Sequence, residues 1–334
     1  MSKVIHFTCV DGNTAGNPVR IVTNPILKLK GNTMMKKRLH FLEEFDWIRK
    51  GLMFEPRGHD MMSGSFFFEP IDVSNDVSIL FIETSGCLPM CGHGLIGAIT
   101  ILIEENLISP KERGTIRVET PAGLIVADYK QEGKKVSAVK FTNIESFLYA
   151  TDLEIEHPDL GKLKVDVAYG GNFYAIVDPQ ENFKGVENYT ATNLIGYSKV
   201  LRDLINKVQE FIHPEDPNIY GCSHVLWAGE TLDSSSTARN AVFYGDKAID
   251  RSPCGTGTSA RMAQWFAKEK LQVGSTFIHE SFIGSKFKGK VEKETCIGNL
   301  KAILPSIEGS AQITGYNTII IDRDDPYAEG FQVI

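Results

Sequence analysis

No apolar stretch in this chain is long enough to cross a bilayer; the longest, Leu95 to Ile103, is about half of the ~20 residues a spanning helix needs. The opening residues, Met1-Ser2-Lys3-Val4-Ile5-His6-Phe7, carry no extended apolar core of the secretory kind and run straight into strand-like alternation. A cytoplasmic location is therefore expected. Positive charge is not in excess either: 35 Lys and Arg against 42 Asp and Glu leave −7, which gives no electrostatic reason to expect nucleic acid or an anionic membrane as a partner. Cysteine is scarce, and Cys9, Cys87, Cys91, Cys222, Cys254 and Cys296 lack metal-ligand spacing; the loose C-x3-C of Cys87 and Cys91 is answered by no second pair. No metal is expected, and any special thiol is reactive rather than structural. Low-complexity segments are absent as well.

What is present suits a soluble enzyme of two domains: 334 residues, 42% hydrophobic and 23% charged. Strand patterns cover Val4–Cys9 and Val19–Val22, with the dense polar run Asp11 to Pro18 reading as a turn between them. A long amphipathic helix follows, capped by Thr33 and showing Leu39, Leu42, Phe45 and Ile48 on one face. Ser65–Phe68 and Val77–Ile82 return to strand. Leu95–Ile103 is apolar on nearly every side, so as a helix it must be surrounded by protein. Strands around Thr120-Pro121-Ala122-Gly123 mark a candidate crossing between domains. The expected division is residues 1–124 with about 318–334 in one domain and 125–317 in the other. A helix from about Thr192 to Lys207 and a strand-rich tail complete the pattern.

One phrase occurs twice, once in each half: strand, proline, cysteine, glycine, polar residue, glycine, helix. It reads Pro89-Met90-Cys91-Gly92-His93-Gly94 and Pro253-Cys254-Gly255-Thr256-Gly257. Each sulfur would sit at a helix start, where unpaired amides and the macrodipole favour a thiolate. The echo implies a duplicated α/β unit. Two such thiols permit two-base chemistry, in which one sulfur takes a proton from a carbon and the other delivers one to the opposite face, inverting the centre. The carbon acid of an amino acid is weak, so donors must also stabilise the charge that develops on its carboxylate; the amides of Gly92, His93, Gly255 and Thr256 can supply them, and Asp250 suits the substrate ammonium. A cysteine protease using Cys91 and His93 would leave Cys254 unexplained. A phosphate cradle at Gly255–Thr258 lacks the lysine of a P-loop. A thiol–disulfide pair also stays open, although such pairs usually come as C-x-x-C.

Met90-Cys91-Gly92-His93-Gly94 together with Asp250-Arg251-Ser252-Pro253-Cys254-Gly255-Thr256-Gly257-Thr258 resembles the proline racemase superfamily, and the likeness extends to Pro56–Asp60 and His279-Glu280-Ser281. The resemblance implies an α/β fold like that of diaminopimelate epimerase: two similar domains, each a curved, mostly antiparallel sheet or barrel around a central helix. It implies no cofactor, an active site between the domains, and Cys91 and Cys254 as the acid/base pair. It also implies that the amides after each cysteine hold the carboxylate, and that Asp250 with His93 holds the ring nitrogen. Family branches that dehydrate 3-hydroxyproline carry threonine in place of the second cysteine, so Cys254 argues against dehydration. Family racemases place phenylalanine where this chain has Ser63 and Tyr244, and cysteine where it has His224. Polar groups there would be left unpaired by a bare ring, at about 1–3 kcal/mol each if buried. That points to 4-hydroxyproline, inverted at its α carbon, with proline or mere imino-acid binding as the alternatives. The family's usual histidine is replaced by Asn13. Beyond this small-molecule partner, self-association as a homodimer is left open by the residues.

Overall fold

The computed structural model of the chain describes residues 3–333, so Met1, Ser2 and Ile334 of the expected first domain lie outside the described residues. The chain forms two compact units, Met1–Phe141 with Gly309–Ile334, and Thr142–Glu308. The sequence had suggested crossings near residues 124 and 318. The first falls later because Gly123–Glu132 and Lys135–Thr142 continue an antiparallel meander from Thr115–Thr120. The return falls earlier because Ala311–Asp322 pairs along its whole length with Val4–Thr14.

In the first unit the strands run in the order Ala311–Asp322, Val4–Thr14, Asn17–Asn24, Ser63–Phe68, Val77–Glu83, Thr115–Thr120, Gly123–Glu132, Lys135–Thr142. Only two neighbouring pairs are parallel, Asn17–Asn24 with Ser63–Phe68 and Val77–Glu83 with Thr115–Thr120. The polar run from Asp11 is not a loop, contrary to its composition. Strand pairing continues to Thr14, and the turn is only Ala15 and Gly16, both at positive φ (49° and 88°), the handedness that tight hairpins favour. Asn13 belongs to this hairpin, its Oδ1 accepting from the Gly16 N–H.

The expected long helix is two: α1 (Met34–Glu44) and α2 (Asp46–Met53), broken at Phe45. Thr33 caps α1 as expected, accepting from the Lys36 N–H at 3.2 Å. Leu39, however, is 55% exposed; the face that packs is Phe41, Phe45, Ile48 and Leu52 against Phe7 and Phe66 of the sheet. On the sheet's other side lies α3 (Gly92–Glu104), every residue from Gly92 to Ile103 buried. Leu95, Ile96, Ile99 and Leu102 are fully buried, each contributing about 1.5–3 kcal/mol of apolar transfer. Gly97 permits the approach, since a Cβ there would lie 2.6 Å from a Val19 methyl.

The second unit repeats the plan. Ser146–His157, Gly161–Tyr169, Phe173–Val177, Cys222–Gly229, Ala238–Tyr244, Thr276–Glu280, Lys286–Ile297 and Leu300–Gly309 pair in that order, and the last returns to the first, closing a barrel. Its two parallel pairings occur at the corresponding places, Phe173–Val177 with Cys222–Gly229 and Ala238–Tyr244 with Thr276–Glu280. Helix α4 (Ala191–Val208) covers the outside, burying Leu194, Leu201 and Ile205 in one cluster with Trp227. Helix α5 (Gly255–Ala267) packs against the Ser146–His157, Gly161–Tyr169 and Lys286–Ile297 strands and is buried over most of its length. Among the described residues, no helix is long and apolar enough to cross a membrane.

Candidate active site

Each unit delivers its cysteine by the same device. A strand turns back on itself, Val77–Glu83 with Gly86–Leu88 in one unit and Ala238–Tyr244 with Ala248–Ile249 in the other. The chain then passes into the buried helix, with Cys91 as the N-cap of α3 and Cys254 as the N-cap of α5. The first turn of any helix leaves N–H groups without intrahelical acceptors, which here are those following each cysteine. The glycine three residues after each cysteine leaves room beside the sulfur. A Cβ on Gly94 would come within 3.0 Å of the Cys91 sulfur, and one on Gly257 within 3.2 Å of the Cys254 sulfur.

Around Cys91 the first unit gathers Ser63, His93, Asn17 and Glu83. The Cys91 thiol lies 3.2 Å from Glu83 Oε1, and Ser85 Oγ donates to Glu83 Oε2 at 3.1 Å. Glu83 is buried after the apolar run Ile79–Ile82 of its strand, and that burial raises its carboxyl above the usual range, against the bonds from Cys91 and Ser85. His93 is also buried, which pushes it down to about 4 and keeps the imidazole neutral. Its Nε2 lies 3.0 Å from Asn17 Nδ2 and 2.9 Å from Ser63 Oγ. Its Nδ1 lies 3.6 Å from the Cys91 sulfur.

Ser63 was expected to wait for a ring hydroxyl, but it does not. Its Oγ donates to the Pro18 carbonyl at 2.6 Å and contacts His93, so it is satisfied without a ligand. His93, which the resemblance placed on the ring nitrogen, has its Nε2 beside Asn17 and Ser63 and its Nδ1 3.6 Å from the Cys91 sulfur. Glu83, Cys91 and His93 each offer one ligand atom, all within 4.8 Å of one another.

Cys254 has different company. Tyr174 OH lies 3.3 Å from its sulfur and 2.6 Å from Thr256 Oγ1; Thr256 Oγ1 is 3.7 Å from the sulfur, and the Gly257 N–H donates to it at 3.4 Å. Asp250, buried beside this turn, accepts from the Ser252 N–H at 2.8 Å. Burial first, then the Asp250 carboxylate, pushes the Cys254 thiol up to about 12, with the bonds from Tyr174, Gly257 and Thr256 pulling the other way. Burial here opposes the thiolate that the first-turn amides favour. The residue also sits at φ 64° and ψ 115°, a region costly for a side chain with a Cβ, at about 1–3 kcal/mol. Backbone strain of this kind aims the sulfur where relaxed geometry would not.

Of the expected ring-pocket residues, His224 packs over Tyr174 with ring centroids 4.8 Å apart, and its Nδ1 lies 2.7 Å from Ser223 Oγ. Burial, and secondarily Arg202, pushes it down to about 4. Tyr244 is buried at the end of its strand, paired with Ala248. Gly255 lies between Cys254 and Thr256 in the first turn of α5. Sequence reasoning missed Glu83, Asn17 and Tyr174. A carboxylate directly after the apolar run Ile79–Ile82 was a legible signal for Glu83; nothing comparable marks Tyr174. Arg57, within the Pro56–Asp60 run that shares the family likeness, donates to the carbonyls of Gly51, Tyr327 and Ala328.

Two like-built α/β units, each with a cysteine capping its central helix, define the diaminopimelate epimerase-like class of fold. Within it the chain belongs to the proline racemase family, whose model, described as proline racemase, matches residues 9–332. A relative from Spirosoma linguale named 4-hydroxyproline 2-epimerase is 63% identical over 98% of this chain and 99% of its own length. A solved hydroxyproline epimerase from Agrobacterium vitis, with bound trans-4-hydroxy-L-proline, superposes with a TM-score of 0.88 at 26% identity, covering 100% of this chain and 96% of the other. A probable proline racemase from Agrobacterium radiobacter, with bound carbonate, gives 0.86 at 30% identity over 98% and 96%.

Proposed function

We propose that this chain is a cofactor-independent 4-hydroxyproline 2-epimerase, interconverting trans-4-hydroxy-L-proline and cis-4-hydroxy-D-proline. The observation that carries the substrate assignment is the 63% identity, over essentially full length, to a relative bearing that name. The bound ligand of the Agrobacterium vitis protein supports it. In this reading one sulfur of the Cys91 and Cys254 pair removes the Cα proton and the other delivers a proton to the opposite face. The Cα–H bond breaks, its electron pair moves toward the carboxylate, and a new C–H bond forms from the second thiol. First-turn amides at Gly92, His93, Gly255 and Thr256 stabilise the charge that gathers on the carboxylate oxygens. Asp250 takes the ring ammonium, and His93 supports Cys91. His224 and Tyr244 are left as the residues that would distinguish a 4-hydroxyl.

Racemisation of proline is the second reading, and a specific observation favours keeping it. The Ser63 hydroxyl is already bonded to Pro18 and His93, so a bare ring would not strand it. Incubating the enzyme with each amino acid in heavy water separates the two. Deuterium should enter Cα of 4-hydroxyproline at least tenfold faster than Cα of proline. Equal uptake would overturn the substrate assignment, and no uptake with either would overturn the epimerase reading.

A further inference from the structure

The two cysteines share a backbone device but not a chemical setting, and the difference concerns where a proton can go. Cys254 is bordered by Tyr174, Thr256 and the Gly257 N–H, with no carboxylate in hydrogen-bond contact with its sulfur among the contacts recorded for it. Cys91 is bordered by the Glu83 carboxyl at 3.2 Å and by a neutral imidazole at 3.6 Å. Glu83 reaches this place from a neighbouring strand, where it pairs across the sheet with Ser63, itself bonded to His93. Its second oxygen is held by Ser85, so the carboxyl plane is fixed and Oε1 is directed at the sulfur.

We infer that Glu83 is a positioning residue that shares one proton with Cys91, making Cys91 the sulfur that starts as base and leaving Cys254 as the sulfur that starts as acid. The inference rests on the epimerase reading above and assigns the two thiols unequal roles within it. The shared step balances. The S–H bond of Cys91 breaks with its electron pair left on sulfur, and an O–H bond forms at Glu83 Oε1, so one proton and one negative charge stay within the pair. The thiolate then takes the Cα proton of the isomer that presents it to Cys91, re-forming S–H, while the Cys254 S–H breaks to protonate the far face; the start is restored when the Cys254 thiolate either takes the Cα proton of the other isomer in the reverse reaction or takes a proton from water as Glu83 releases its own.

Burial supports this division, since it raises Glu83 toward holding the proton and keeps Cys254 protonated. The charged and titratable groups packed around Glu83 do not duplicate its role. Arg49 donates to the main-chain carbonyls of Glu83 and Thr84 and is paired with Asp46 at 2.6 Å. Arg38 donates to the Cys87 carbonyl, and burial pushes the Cys87 thiol up to about 12. His93 is neutral. Glu83 is thus the carboxyl among the described residues with a recorded bond to a cysteine of the pair.

The test is the pH dependence of Cα exchange for 4-hydroxyproline in wild type, E83Q and E83D, with folding checked by thermal melts. In wild type the active form is lost as pH falls and the Glu83 and Cys91 pair takes a second proton. Glutamine cannot hold that proton, so in E83Q Cys91 must ionise unaided, near an ordinary thiol value of about 8.5 or above. The acid limb of kcat/KM should therefore move up by about one pH unit or more. At neutral pH kcat should fall about a hundredfold while KM changes less than about twofold. E83D should restore the wild-type position of the limb and part of kcat. An unmoved limb in a folded E83Q overturns the inference. A second measurement needs no variant: site-resolved iodoacetamide labelling of the free wild type should show Cys91 reacting at least tenfold faster than Cys254 at neutral pH. Equal labelling, or faster labelling of Cys254, overturns it as well. Wild type that exchanges no Cα proton defeats the epimerase reading instead, so the two failures are told apart.

Discussion

Helices α3 and α5 both open with cysteine, glycine, a variable residue and glycine, and then diverge. After Gly94 the interior of α3 is Leu95, Ile96, Ala98, Ile99, Ile101 and Leu102, filling its sheet with hydrocarbon. After Gly257 the interior of α5 is Thr258, Ser259, Arg261 and Gln264, all buried and all bonded. Thr258 Oγ1 meets His279 Nδ1 at 2.8 Å, Ser259 meets Asn143 at 2.9 Å, Arg261 meets Asp178 at 2.5 Å, and Gln264 meets Asp166 at 2.5 Å. One fold position is thus filled by apolar packing in one unit and by a hydrogen-bonded polar network in the other. What the two retain in common is confined to the first turn, where the sulfur must be aimed and no side chain can crowd it. The remainder of each helix answers to volume and to hydrogen-bond satisfaction, which can be met in either way.

The strongest way to break the pairing of the two units is to remove one sulfur at a time. Cys91→Ser and Cys254→Ser should each lower epimerisation of 4-hydroxyproline by about a thousandfold, since each deletes one half of a proton exchange. Optical rotation and Cα deuteration would read this, and near-wild-type activity in either variant would end the two-thiol mechanism. The next effect separates the interiors. Arg261→Met removes the cation from a buried network and should cost the second unit about 2–3 kcal/mol, discounted because Asp178 is 40% exposed. Urea unfolding would show it. Burial opposes ionisation of Asp178, but Arg261 and Gln264 outweigh it and hold the carboxyl below its usual value. Its stabilising contribution is therefore present above the ordinary carboxylate pKa of about 3.9 and lost as pH falls through the lower folded value; in the Arg261→Met protein that acid-side loss should shrink.

Much of this was readable in the chain. The repeated cysteine phrase located both helix starts, because proline, small residues and an abrupt change of hydrophobic period coincide there. The all-round apolarity of Leu95–Ile103 announced a helix enclosed by protein, and it is one. Residues whose meaning depends on a partner far along the chain were illegible. Asp11, Gly12 and Asn13 have turn composition, yet they form strand because both flanking strands, one from the C-terminal tail, satisfy their backbone. Leu39 matched a helical period but faces outward, since α1 buries the face of Met34 and Phe41 and Leu39, two residues before Phe41, lies about 200° around the helix from it. Ser63 was legible as a polar group near the cysteine; its bond to Pro18 was not, because a hydroxyl's partner is set by strand register rather than by composition.

A smaller effect tests the shared first turn. Gly94→Ala and Gly257→Ala should each raise intrinsic helix propensity, by about 1 kcal/mol, yet lower activity by about tenfold, because the new methyl displaces the neighbouring sulfur by a few tenths of an ångström. Stability and activity would then move in opposite directions in both units. Activity unchanged in one of them would show that its sulfur tolerates displacement and that the two starts are not equivalent.

The finest comparison substitutes the same side chain in the two interiors. Thr100 in α3 is fully buried, and its hydroxyl has no hydrogen-bond partner, whereas Thr258 in α5 bonds His279. Thr→Val preserves shape and deletes only the hydroxyl. At 100 this removes an unsatisfied polar group from hydrocarbon and should stabilise by up to about 1 kcal/mol. At 258 it should destabilise by about 1 kcal/mol, because the His279 ring, which burial holds neutral, loses its 2.8 Å Nδ1 contact and keeps only Asn240 at 3.4 Å, while its Nε2 is already without a partner. Opposite signs in chemical denaturation would establish that the two helices solve one packing problem by different chemistry. The same sign at both positions would mean that the Thr100 hydroxyl is satisfied within its own helix, and the contrast between the interiors would narrow to the Arg261 network alone.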